Sequence, residues 1–134
     1  MKKHSSAWYR KKATEIAKKI VKELANYTCE RCYKSKKKGS KIDGAHILST
    51  GAYPEMSCVL LNILCLCSSC HSFGKNSWHH NPVDAVKWFN KKYPGRYNKL
   101  IKISQTRTNI DYKMEYEQLT EYYNKIQNNT GLNL

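Results

Sequence analysis

From Ser6 to Ala25 the apolar residues Ala13, Ile16, Ala17, Ile20, Val21 and Leu24 return every third or fourth position, the period of one helical face. Ser5 or Ser6 offers the hydroxyl of an N-cap. Lys11, Lys12, Lys18, Lys19 and Lys22 fill the remaining surface, so the predicted helix is a basic rod with one apolar stripe. The polar, glycine-bounded stretch from Lys34 to Ser40 predicts a loop or hairpin tip. Lys41 to Leu48 predicts a strand, followed by the turn-rich Ser49-Thr-Gly-Ala-Tyr-Pro54. Val59 to Leu66 is apolar and β-branched at Val59 and Ile63; it predicts a second strand, although a run this short also suits a helix or loop segment. A helix is expected to open at the Cys67 to Cys70 pair. Asn81-Pro82 is an N-cap followed by proline at the first helical position, and predicts a helix over Val83 to Tyr93 that Pro94-Gly95 stops. A short helix over Arg96 to Ile103 and a last one over Asp111 to Gln127, apolar at Met114, Leu119, Tyr122, Tyr123 and Ile126, complete an α+β chain without internal repeats.

The length of 134 residues fits one domain, divided as a basic helix (1–26), a cysteine-framed core (27–93) and C-terminal helices (94–134). Twenty-four Lys and Arg face 10 Asp and Glu, a net charge of +14. Residues 1–41 hold 14 of the basic side chains and three acids, so the field is concentrated at one end. Such a field attracts polyanions, nucleic acid foremost. An anionic membrane surface would require a bulkier apolar face than Ala and Ile provide. No apolar run reaches the ~18 residues of a membrane span, and MKKHSSAWYRKK lacks the apolar stretch of a secretory leader. A cytoplasmic location without a membrane partner is therefore expected. Ten tyrosines predict a buried area rich in amphipathic rings.

The six cysteines fall as Cys29-Glu-Arg-Cys32, Cys58, Cys65 and Cys67-Ser-Ser-Cys70. In a cytoplasmic chain they read as ligands rather than disulfides. Two CxxC pairs supply the four thiolates of a tetrahedral structural zinc site: Cys29, Cys32, Cys67 and Cys70. Cys58 and Cys65 read as small buried hydrophobes. The 34 residues between the pairs exceed a ribbon spacing, so the intervening segment must build something of its own.

That segment contains Asp43-Gly-Ala-His46, then Asn62-Ile-Leu-Cys-Leu-Cys67-Ser-Ser-Cys70-His71, with Trp78-His-His-Asn-Pro82 beyond. The order CxxC, His46, Asn62, CxxC-His71 resembles the HNH endonucleases, and more closely the small phage-type members. The resemblance covers about residues 27 to 100. It implies a ββα-metal core and metal-dependent hydrolysis of DNA phosphodiester bonds, leaving 5′-phosphate and 3′-hydroxyl ends, in a bacterial or phage-infected cell. His46 corresponds to the general base, Asn62 to the brace of the hairpin, and His71 to a ligand of the catalytic divalent cation. Imidazole suits the first role, since its ordinary pKa of ~6.5 lies near working pH.

One position departs from that pattern. Where many members carry a further ligand before the base, this chain has Ala45. Asp43 offers a carboxylate instead, and His79 or His80 an imidazole, with His79 the better alignment. A site of His71, His79 and Asp43 would accept Mn²⁺, Ni²⁺ or Zn²⁺ as well as Mg²⁺. The phosphate-binding surface is expected on Lys11, Lys12, Lys18, Lys19, Lys36, Lys37, Lys38 and Lys41, with Arg31, Arg96, Lys99 and Arg107 adding to it. A monomer would nick one strand; a homodimer, through the acidic, Tyr-rich last helix, could cut both. The alternative function is a non-catalytic zinc module that binds DNA in packaging or recombination.

Overall fold

The computed structural model describes residues 3–132, with side chains described as far as residue 129. Helix α1 spans Ser6–Leu24, and its cap is Ser5, whose Oγ accepts the Trp8 N–H at 3.1 Å. Ala13, Ala17 and Ile20 are fully buried; the two alanines allow the helix to lie close to its neighbours. Leu24, expected on the apolar stripe, is the last residue of the helix and is 60% exposed. Asn26 and Tyr27, both at positive φ, then swing the chain into the first cysteine pair.

Strand β1 (Ile42–His46) pairs antiparallel with β2 (Ile63–Cys67), Ile42 opposite Cys67 and His46 opposite Ile63. Both strands are shorter than predicted. Ile47 and Leu48 leave the ladder to bond Asn62, and Leu60–Asn62 forms a 3-10 turn instead of strand. Every residue of β2 is buried. Ile63 packs with Ala13, Ala17, Ile20 and Leu119, whereas Leu64 and Leu66 pack with Ile42, Ala45, Phe89 and Leu100. Burial from two sides is why this strand reads as an unbroken apolar run rather than an alternation.

A helical turn opens at the second cysteine pair as expected, but it is a π turn rather than the start of an α-helix. Ser69–Phe73 is a single π turn, closed by the Gly74 N–H on the Ser69 carbonyl at 2.8 Å. The next helix, α2, waits until Pro82–Lys92, where Asn81 Oδ1 caps the Asp84 N–H at 3.2 Å. Helix α3 covers Arg96–Thr106 and α4 covers Tyr112–Leu132. The last helix lies along α1 through Leu119, Tyr116, Tyr123 and Ile126, so the face expected at a dimer contact is used within the chain. Met114 and Tyr122 point outward. No described tyrosine is fully buried; the aromatic packing is instead centred on Phe89, flanked by Trp78, Trp88 and Tyr93. Among the described residues no helix is long and apolar enough to cross a membrane.

Candidate functional site

The fold brings Cys29, Cys32, Cys67 and Cys70 together, their ligand atoms all within 4.8 Å of one another. Cys32 Sγ and Cys67 Sγ stand 3.5 Å apart, close to the ~3.8 Å that two ~2.3 Å zinc–sulfur bonds make at a tetrahedral angle. Burial pushes the Cys29 thiol up, but the backbone N–H groups of Cys32, Cys67 and Arg31 outweigh it and bring the thiol down to about 7. Such a set could coordinate a structural metal such as zinc. By contrast, burial pushes the leftover thiols of Cys58 and Cys65 up, to about 11 and about 12, which keeps them neutral in the core.

The residues inside the first pair fix the cage to the rest of the protein. Glu30 N–H donates to the Cys65 carbonyl at 2.8 Å, and Glu30 Oε2 accepts the Cys65 N–H at 2.6 Å. Glu30 Oε1 accepts the Tyr93 hydroxyl at 2.5 Å, and Lys92 Nζ donates to the Glu30 carbonyl. Arg31 pairs with Asp84 at 2.7 Å and donates to the Asn76 carbonyl at 2.6 Å. Sequence reasoning assigned Glu30 no role; its only signal was an acid inside a CxxC turn.

A second group of side chains lines a cleft of about 390 Å³ bounded by Lys18, Gly44, His46, Thr50, His71 and His79. His46 closes β1, and its Nε2 lies 2.8 Å from the Ser57 carbonyl. A carbonyl only accepts, so Nε2 carries the proton and Nδ1 keeps the lone pair in the neutral ring. Burial lowers the His46 pKa below the ordinary imidazole value, Lys18 and His71 add to that, and the Ser57 carbonyl opposes it. The ring is therefore neutral at pH 7 with a free basic nitrogen.

Asn62 holds the loop that carries Ser57. Fully buried, it accepts the Leu48 N–H at 2.8 Å and donates to the carbonyls of Leu48 and Met56, both at 3.1 Å. The amide thus ties the end of β1 to the residue before Ser57, and through Ser57 it fixes the His46 ring.

His71 lies on the π turn, and backbone bonds from Trp78 N–H to Cys70 O (2.8 Å) and His79 N–H to His71 O (3.1 Å) bring His79 beside it. The two Nε2 atoms are 3.1 Å apart, near the ~3.3 Å expected of two imidazoles sharing one divalent ion. Asp43 Oδ2 lies 3.2 Å from His71 Nδ1, on the far side of the ring. That carboxylate fits the orienting partner of a ligand, which fixes the tautomer so that Nε2 presents its lone pair. His80 is exposed, its backbone N–H on Ser77 Oγ, and takes no part. Among the described residues the cysteine cage is the only close group of three or more ligand side chains, so the cleft offers a cation two imidazoles and open positions.

The lysines divide by location. Lys11 and Lys18 line a groove that adjoins the cleft and shares His46 with it. Lys12 is drawn to Glu15 at 3.6 Å and over the Trp8 ring, and Lys19 is exposed. Lys36 and Lys37 border a separate hollow with Tyr27 and Asn26, while Lys38 and Lys41 are exposed. Three arginines expected to contact phosphate are engaged internally: Arg31 as above, Arg96 on the Leu61 carbonyl at 2.7 Å, and Arg107 on the Glu55 carbonyl at 2.9 Å and on Glu115. Compared with family models, curated proteins and solved structures, the chain finds no match in any of the three.

Proposed function

We propose that the protein is a metal-dependent endonuclease of the HNH type, which hydrolyses DNA phosphodiester bonds and nicks one strand per site. The observation that carries this is the neutral His46 ring, anchored through Nε2 and free at Nδ1, in a cleft that also holds the His71 and His79 pair. His46 Nδ1 takes the proton of the attacking water, and Asn62 keeps the ring in place. His71 and His79 would hold the divalent cation, Mg²⁺, Mn²⁺, Ni²⁺ or Zn²⁺, with Asp43 orienting His71. When bound, such an ion supplies positive charge for the scissile phosphate and the departing 3′ oxygen. Cys29, Cys32, Cys67 and Cys70 would hold a structural zinc outside the chemistry.

A second reading, a zinc-containing module that binds DNA without cutting it, draws on the cleft's supply of only two imidazole ligands and on Ala45. A plasmid-nicking assay with each cation separates the two. On the nuclease reading the wild type nicks and His46→Ala loses about 10²–10⁴-fold in rate while still binding DNA. Equal DNA binding with no nicking by either protein would leave the non-catalytic reading.

A further inference from the structure

Lys18 differs from the other lysines of α1 in where its stem lies. A Cβ built on Gly44 would stand 2.6 Å from Lys18 Cγ and 2.8 Å from Lys18 Cβ, well inside the 3.4–4 Å of ordinary contact. Cβ is fixed by the helix backbone, so turning the side chain would relieve the Cγ contact but not the Cβ one. Gly44 is not at positive φ, and a glycine inside a strand costs about 0.5–1 kcal/mol relative to alanine. What requires glycine here is the close approach of Lys18. His46 stands two residues along β1, on the same face, and Lys18 lines both the cleft of His46, His71 and His79 and the groove beside it. Among the described residues no carboxylate lies within ion-pair distance of Lys18. A half-buried lysine with no carboxylate partner, lining such a cleft, is a seat for an anion.

We propose that Lys18 is a catalytic residue whose Nζ binds a non-bridging oxygen of the scissile phosphodiester, and that Gly44 is the positioning residue that lets the Lys18 stem lie flat against β1. This rests on the nuclease reading. In the step it serves, the bond from water oxygen to phosphorus forms and the bond to the 3′ oxygen breaks. The water proton passes to His46 Nδ1, and a proton from solvent reaches the 3′ oxygen. Lys18 takes no part in the proton transfers and opposes the charge that builds on the phosphoryl oxygens.

The test compares Lys18→Met, which keeps the stem on Gly44 and removes the charge, with Lys18→Arg and with Lys19→Met. Expected for Lys18→Met is a kcat about 100-fold lower with KM little changed, substantial recovery in Lys18→Arg, and only a weaker, salt-sensitive KM in Lys19→Met. Gly44→Ala should lower kcat in the presence of Lys18 and add little on the Lys18→Met background. A second readout needs no turnover. In protein carrying one equivalent of zinc, a short oligothymidylate should shift the His46 ring resonances of the wild type and of Lys19→Met, but not of Lys18→Met. If the wild type never nicks while this Lys18-dependent shift remains, the nuclease reading fails and the phosphate contact stands. If the wild type nicks and Lys18→Met matches its kcat, or if the oligonucleotide shifts His46 equally in both, the Lys18 assignment is overturned and the nuclease reading stands.

Discussion

The thiolate cage and the imidazole cleft share one turn of chain, since Cys70 and His71 are neighbours on the Ser69–Phe73 π turn, yet they are built to opposite ends. In the cage four sulfurs converge within 4.8 Å, and the turn of the first pair is sewn to β2 and α2 through Glu30 and Arg31. In the cleft two imidazoles meet at 3.1 Å, the third stands on β1, and the space between them is open. A full set of soft ligands suits permanent structure, whereas a partial set of nitrogen ligands leaves positions for water and substrate. Adjacent residues can thus separate stability from chemistry, because successive side chains leave the backbone in different directions.

The largest effect that would break this contrast lies in the cage. Cys29→Ser is expected to abolish cooperative unfolding and metal retention, since zinc bound by four thiolates contributes an apparent ~10–16 kcal/mol, more than most domains have in total. Cys58→Ala should remain folded with its metal; far-ultraviolet circular dichroism and metal analysis of the two variants check both outcomes. Next in size is Asn62→Ala. It strands the Leu48 N–H and carbonyl in the core, while the Met56 carbonyl keeps the Val59 N–H; at about 1–3 kcal/mol for each group left unpaired, it should lower denaturant stability by about 3 kcal/mol and, on the nuclease reading, nicking as well. Asp43→Asn acts on the cleft alone. Manganese affinity, measured by titration calorimetry, should weaken about 10–100-fold while the cage keeps its metal.

The smallest effect is on pH dependence. Because burial first, then Lys18 and His71, hold the folded His46 pKa below its ordinary 6.5, the unfolded chain takes up that proton at higher pH than the folded one. The corresponding stability is intact above pH 6.5, is lost as pH falls through the folded pKa, and is flat below it. The melting temperature of His46→Gln should therefore fall less than that of the wild type between pH 7 and the acid side of that window. On the nuclease reading, nicking by the wild type should persist below pH 6.5 before it declines.

Much of this was legible in the sequence, for reasons that can be named. The α1 stripe, the Asn81-Pro82 start and the cysteine spacing are local patterns, and local physics suffices to form them. The period puts Leu24, Met114 and Tyr122 on apolar faces that the packing leaves open, because periodicity does not say where a partner ends. The ladder of β2 begins at Ile63 rather than Val59, since an apolar run carries no mark of where pairing begins. The π turn depends on long-range bonds to Trp78 and His79, and the contact of Lys18 with Gly44 joins segments 26 residues apart. Neither leaves a trace in the spacing of residue types. Glu30 is the clearest case: one acid in a metal turn serves β2, Tyr93 and the chain's course at once.

That residue has a consequence for the molecule among its own copies. A two-stranded sheet leaves each strand with one unpaired margin, and an apolar strand so exposed invites addition of another chain. Along β2 the outward N–H and C=O of Cys65 are taken by Glu30, and the Ile63 carbonyl is reached by Arg96 at 3.4 Å. Glu30, through its backbone N–H and its carboxylate, and the Arg96 guanidinium stand in for a third strand along β2. Their removal would open that margin of β2 to the addition of another chain.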